Sequence, residues 1–162
     1  MTHADTATID LIPLTRDQAG RIARGEPGPQ DRWAEGFPRE DDAGPASRLA
    51  EASVDLIPFG SYLLVPRAHG RGIGTAGFYG PPNAAGDVTI GYGMVEPEWG
   101  RGYGTQAVAR LVEVCREHGG VQAVNADTDL DNIGSQRVLE KNGFELVRTT
   151  EKLRYYLLRL SA

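Results

Sequence analysis

The chain has 162 residues, 40% of them apolar and 24% charged, proportions that suit one globular domain with one hydrophobic core rather than a fibrous or disordered chain. Its formal net charge of −5 argues against sequence-independent nucleic-acid binding, which rests on a basic surface. No apolar run approaches the ~20 residues that span a bilayer, and the first eight residues lack the basic start and apolar stretch of a secretory signal. The expectation is a cytoplasmic protein with a disordered tail over 1–8, one domain over 9–162, and no nucleic-acid or membrane partner. Cys115 is the only cysteine, which excludes an intrachain disulfide.

Residues 9–14 form a short apolar stretch that predicts a strand. Thr15 and Gln18 follow at capping-box spacing, which starts a first helix reaching about Arg24. Residues 25–30 are a Gly/Pro turn and residues 33–44 read as irregular and acidic, with a second helix over 46–52. Residues 62–65 and 73–79 predict a hairpin joined by a glycine-rich loop through His69. After the turn at Pro81, Pro82, Asn83 and Gly86, a strand covers 88–95. From Thr105 the period changes: Val108, Leu111, Val112 and Cys115 share one helical face, and Gly119 and Gly120 end that helix. A strand over 121–126 follows. Asp131 or Asn132 then caps a helix to Asn142, which Gly143 closes as the left-handed C′ residue. Two antiparallel strands, 144–148 and 153–160, complete the chain.

Two segments look alike, Arg71-Gly72-Ile73-Gly74-Thr75 and Arg101-Gly102-Tyr103-Gly104-Thr105. A phosphate cradle needs glycines that let backbone N–H groups converge, followed by a helix whose N-terminal dipole faces the anion. Residues 76–82 contain two glycines and two prolines and cannot carry a helix. Residues after Thr105 can. The second segment is therefore the expected anion site, and the first a turn entering a strand.

Four stretches together carry a family resemblance: Ile90-Gly91-Tyr92-Gly93-Met94-Val95; Trp99-Gly100 running into Arg101-Gly102-Tyr103-Gly104-Thr105; Asn132 with Ser135; and Val138-Leu139-Glu140-Lys141 before Gly143-Phe144. This combination resembles the GNAT superfamily of N-acetyltransferases, in its ribosomal-protein N-terminal acetyltransferase branch. The resemblance implies a mixed α/β fold around one twisted sheet of about seven strands with helices on both faces. It implies acetyl-CoA as cosubstrate and a primary amine as acceptor, either a small molecule or a protein N-terminus. Met94, Val95 and Glu96 would hold the pantetheine at a splayed strand end. Arg101, Gly102, Tyr103, Gly104 and Thr105 would offer backbone donors to the pyrophosphate. Asn132 would contact the pantetheine arm, and Ser135 would lie near the thiol as the candidate catalytic residue. The chain departs from the superfamily at Leu139, where many members place a tyrosine acid, and from the branch at Thr89, where an acidic residue is often found.

Acetyl transfer needs a bound thioester, a neutral amine and a donor for developing charge; unpaired N–H groups at splayed strands can supply the donor. Ser135 also reads as an ordinary polar residue in a helix first turn. Glu96 and Glu98 could conduct a proton away, or be solvated loop carboxylates. Trp33 and Phe37 read as acceptor-cleft wall or as core. Cys115 reads as an inert core thiol, and His3, His69 and His118 have no metal-ligand partner at useful spacing, so no metal is expected. Two rivals stand: a non-catalytic acyl-CoA binder, and a nucleotide-binding Rossmann domain with Asp127 as ribose ligand. The oligomeric state stays open, a homodimer included.

Overall fold

The reciprocal cap at Thr15 forms as its spacing predicts. Gln18 N–H donates to Thr15 Oγ1 at 3.1 Å, and Thr15 N–H donates to Gln18 Oε1 at 2.9 Å. This satisfies two backbone donors that a bare helix end leaves open. The computed structural model describes residues 8–54 and 56–160, so the expected tail, apart from Thr8, lies outside the described residues. The elements are β1 (Ile9–Pro13), α1 (Arg16–Arg24), α2 (Glu40–Ala50), β2 (Ser61–Pro66), β3 (Gly74–Phe78), β4 (Asp87–Met94), a 3₁₀ turn (Glu96–Glu98), α3 (Tyr103–His118), β5 (Ala123–Asp129), α4 (Ile133–Lys141), β6 (Glu145–Thr149) and β7 (Leu153–Arg159).

All seven strands join one sheet in the order β1-β2-β3-β4-β5-β7-β6. Among the described residues only the strands β4 and β5 pair in parallel; every other neighbouring pair of strands is antiparallel. A single parallel pair rules out the repeated βαβ sets of a Rossmann domain. The face of α3 predicted from its period is the buried one: Val108, Leu111 and Cys115 are fully buried, and they share one core with Leu64, Val124, Leu139 and Tyr156.

Successive β4 residues point to opposite faces of the sheet, and its neighbours show which helix covers each. A Cβ at Gly93 would meet the guanidinium of Arg39, the residue capping α2, whereas Gly104 of α3 packs towards Tyr92 and Met94. Helices α2 and α3 therefore lie on opposite faces, as expected for this fold.

Two boundaries differ from the sequence reading by more than two residues. Helix α2 begins at Glu40, not Ala46, and carries Pro45 inside it. Proline removes an interior helical bond, which is why the local sequence argues for a later start. The first turn is held instead by Asp42, fully buried. Its carboxylate accepts from Arg39 Nε at 3.1 Å and Nη2 at 2.8 Å, and from Thr75 Oγ1 of β3 at 2.7 Å. Strand β5 also runs later than expected, to Asp129, because β7 pairs along its whole length from Ala123↔Arg159 to Asp129↔Leu153.

Candidate active site

The chain leaves β4 through the 3₁₀ turn into residues 100–105. Gly100 and Gly102 have φ of +79° and +85°, with nothing within 4 Å of where a Cβ would stand. These left-handed values are open to glycine at little cost. Gly102 is the N-cap of α3, and no side chain caps that end. The first amides of α3 thus face outward with the positive end of the helix dipole behind them. Tyr103 is buried and contributes its ring to the core; Arg101 is exposed, with its Nε 3.2 Å from Glu98 Oε2. The look-alike loop has another purpose. Gly72 N–H donates to the Arg32 carbonyl and Ala34 N–H to the Gly72 carbonyl, stitching the 32–34 segment to the start of β3.

Beside this loop the sheet opens. The parallel ladder of β4 and β5 ends at Thr89↔Asn125, yet β4 continues to Met94 and β5 to Asp129. Tyr79 N–H donates to the Thr89 carbonyl and Val95 N–H to the Ile73 carbonyl, so odd-numbered residues here bond towards β3. By the alternation of an antiparallel ladder, Ile90, Tyr92 and Met94 direct their backbone groups into the opening. Among the residues expected at the splayed end, the Met94 carbonyl is taken by Trp99 Nε1–H at 2.8 Å. The Val95 carbonyl accepts from Glu98 N–H and the Glu96 carbonyl from Trp99 N–H. The Met94 N–H is left on the open side.

A cavity of about 350 Å³ runs from α2 across β3 and β4 into this opening, with Arg39, Arg48, Tyr79, Tyr92, Asp127 and Ser135 among its walls. Asn132 caps α4 by accepting from Ser135 N–H at 3.1 Å. Ser135 Oγ lies 2.6 Å from the Tyr92 hydroxyl. Burial pushes the Tyr92 phenol up to about 12, the Ser135 bond opposing that rise and neighbouring Tyr156 adding to it, so Tyr92 is protonated at any working pH. The structure thus brings Ser135 and the β4 opening together. It adds Tyr92 and Asp127, which the sequence did not single out for the reaction. In the sequence Asp127 stands just past the expected strand, as a ribose ligand of the Rossmann rival; in the structure it takes the exposed phase of β5, opposite the buried Ala126 and Thr128.

Other candidates fall elsewhere. Glu98 Oε1 lies 2.6 Å from His69 Nε2, and Glu98 pairs with Arg101. Trp33 and Phe37 pack edge to face, 5.5 Å between centroids, with Phe37 in the core, and neither lines the cavity. Cys115 is fully buried, and burial raises its thiol to about 11. Leu139 is fully buried. His118 stacks edge-on against Phe59, and His3 lies outside the described residues. Among the described residues no cluster of His, Cys, Asp or Glu could hold a metal ion, and no helix is long and apolar enough to cross a membrane.

An open parallel pair facing a glycine loop at a helix N-terminus is the arrangement of an acetyltransferase domain. The chain belongs to the acetyltransferase (GNAT) domain family, which matches residues 9–145. It is 28% identical over 99 residues to the uncharacterized N-acetyltransferase YjdG of Bacillus subtilis (strain 168), a match spanning 61% of this chain and 59% of that protein. Its fold is similar to an acetyltransferase from Thermus thermophilus, with a TM-score of 0.65 at 22% identity over 96% of this chain and 99% of the other. It is also similar to the ribosomal L7/L12 alpha-N-protein acetyltransferase RimL in complex with coenzyme A, with a TM-score of 0.69 at 15% identity over 96% of each chain.

Proposed function

We propose that this protein transfers an acetyl group from acetyl-CoA to a primary amine by direct attack in a ternary complex. The observation that carries the reading is the opening between β4 and β5, which sets Ser135 beside outward-facing β4 amides, with the uncapped N-terminus of α3 packed towards Tyr92 and Met94 of the same strand. The donor set fits the cosubstrate: Tyr103, Gly104 and Thr105 offer backbone N–H groups to a pyrophosphate. Arg101 and Gly102 shape that loop, Met94, Val95 and Glu96 border the pantetheine, and Asn132 sits at the base of α4 beside it. When bound, acetyl-CoA supplies an activated acyl carbon.

The chain's own residues then do three things. Backbone donors at the opening stabilise charge on the thioester oxygen. The Ser135 hydroxyl faces the sulfur. Asp127, exposed at the cavity wall, accepts a proton from the incoming ammonium, directly or through water. Holding both reactants in one cleft supplies much of the rate. The acceptor is an amine that enters from the α2 side, and the RimL likeness favours a protein N-terminus over a small metabolite. Residues 9–162 act as one domain, in the cytoplasm.

Two measurements test the reading. Acetyl-CoA raises the melting temperature, because it binds only the folded chain. A screen of amines and N-terminal peptides, read by a thiol reagent, releases CoA. A melting shift with no CoA release from any acceptor would leave only an acyl-CoA binder, and no shift at all would remove the cosubstrate.

A further inference from the structure

Ser135 has a partner on the other side of the opening. Tyr92, on β4, approaches it from 43 residues earlier in the chain, with its hydroxyl 2.6 Å from Ser135 Oγ and 3.2 Å from the Ser135 carbonyl. That carbonyl lies within α4, where a helical amide also seeks it, so the shorter hydroxyl contact dominates. Each hydroxyl has one proton to donate. If Ser135 donates to Tyr92, the Tyr92 proton turns to the Ser135 carbonyl and Ser135 presents only lone pairs to the cavity. If Tyr92 donates to Ser135, the Ser135 proton is free to point into it.

The acidity of the two hydroxyls bears on which polarity holds. A phenol O–H is a stronger hydrogen-bond donor than an aliphatic O–H, and the two oxygens stand 2.6 Å apart, which favours the Tyr92 proton turning towards Ser135.

We propose that Tyr92 is a positioning residue for acetyl transfer: its O–H donates to Ser135 Oγ and so turns the Ser135 O–H towards the departing sulfur. The proposal rests on the acetyl-transfer reading. In that step the amine nitrogen bonds to the acetyl carbon, the carbon–sulfur bond breaks, and the sulfur leaves with the electron pair while accepting a hydrogen bond from Ser135. The proton lost by nitrogen passes to solvent, from which the sulfur is finally protonated. Tyr92 takes the place of no missing acid; it gives a hydroxyl on α4 the direction that Leu139 cannot.

The test is a titration of CoA in its binary complex with the whole chain, following the ultraviolet absorbance of the thiolate. A directed Ser135 donor stabilises the bound thiolate, so Tyr92→Phe makes the bound thiol titrate about one pH unit higher than in the wild type. In turnover Tyr92→Phe lowers kcat about tenfold with the KM for acetyl-CoA nearly unchanged. Tyr92→Phe/Ser135→Ala is no slower than Ser135→Ala, since the two hydroxyls act as one unit. If Tyr92→Phe does not fold, a ring-fluorinated tyrosine at 92 keeps the shape and strengthens the donor, and the bound thiol titrates lower than in the wild type. An unchanged titration, or losses that add in the double variant, would overturn the role of Tyr92 while leaving acetyl transfer intact. Failure of the wild type to bind CoA would overturn both.

Discussion

The Trp99 indole donates to the Met94 carbonyl at 2.8 Å, five residues back along the chain. This bond folds the exit of β4 back on itself and aims the glycine loop at the opening beside β5. Trp99 is 61% exposed, so removing its N–H disturbs the loop more than the core. Trp99→Phe loses one hydrogen bond of about 1 kcal/mol and raises the Kd for CoA about fivefold, with little change in melting temperature. Calorimetric titration checks this, and an unchanged Kd would show that the loop keeps its course without the indole.

The two ends of α3 provide a controlled pair. Gly102 before the helix and Gly119 after it have φ of +85° and +81°, and neither would place a Cβ within 4 Å of another group. A β-branched residue at either position carries a similar left-handed strain, ~1–2 kcal/mol. Both Gly102→Val and Gly119→Val therefore lower the melting temperature by comparable amounts, but only Gly102→Val weakens CoA binding, by tenfold or more. Equal effects on binding would place the pyrophosphate elsewhere. Gly72 is a poorer control than its look-alike sequence suggests, because a Cβ there would stand 2.8 Å from Leu63 Cδ1.

Removal of the Ser135 hydroxyl separates chemistry from binding. Ser135→Ala lowers kcat by ~10–100-fold with little change in the KM for acetyl-CoA if the hydroxyl serves the leaving sulfur. A change confined to KM identifies a cosubstrate contact, and no change leaves Ser135 as a first-turn residue of α4.

Kinetic order follows from Cys115. A ping-pong route needs a nucleophile that takes the acetyl group before the amine arrives. Cys115 is fully buried, with its thiol raised to about 11 by burial, so it is protonated at neutral pH and enclosed by the core. It also lies ~15 Å along the α3 axis from Thr105. Initial-velocity plots intersect, and Cys115→Ala retains most activity. Parallel plots, or acetyl-Cys115 trapped by mass spectrometry before amine is added, would reverse this.

A pH effect on stability arises far from the reaction. Asp31 accepts from Arg21 Nε at 2.6 Å and from Gly28 N–H at 2.8 Å. The Arg21 hydrogen bond is the main cause that holds its carboxyl below the ordinary value of 3.8, against the opposing effect of burial. A carboxylate with a depressed folded pKa contributes stability above its unfolded value and loses it as pH falls through the folded value. Asp31→Asn thus lowers the melting temperature at neutral pH, and the gap to wild type closes as the pH drops below the ordinary carboxylate range. A gap that persists in acid would mean the loss is one of packing, not charge.

The features legible in the chain alone are local ones. The Thr15–Gln18 cap, the period of α3 and the choice between two glycine loops depend on residues within a few turns of one another. Helix capping and helix propagation are decided over that distance, so the residues after Thr105 were enough to separate the loop that opens α3 from the turn at Gly72 that enters β3. The remaining features depend on residues far apart in sequence and took shape only through packing. The start of α2 rests on Asp42 reaching Thr75, against the local veto of Pro45. The length of β5 rests on β7 entering beside it. The meeting of Tyr92 with Ser135 requires β4 and β5 to part after Thr89 and Asn125 while α4 packs across the gap. A hydroxyl contact of this kind leaves no periodicity in the chain, because neither residue's own neighbours require it; it exists only once the sheet has opened.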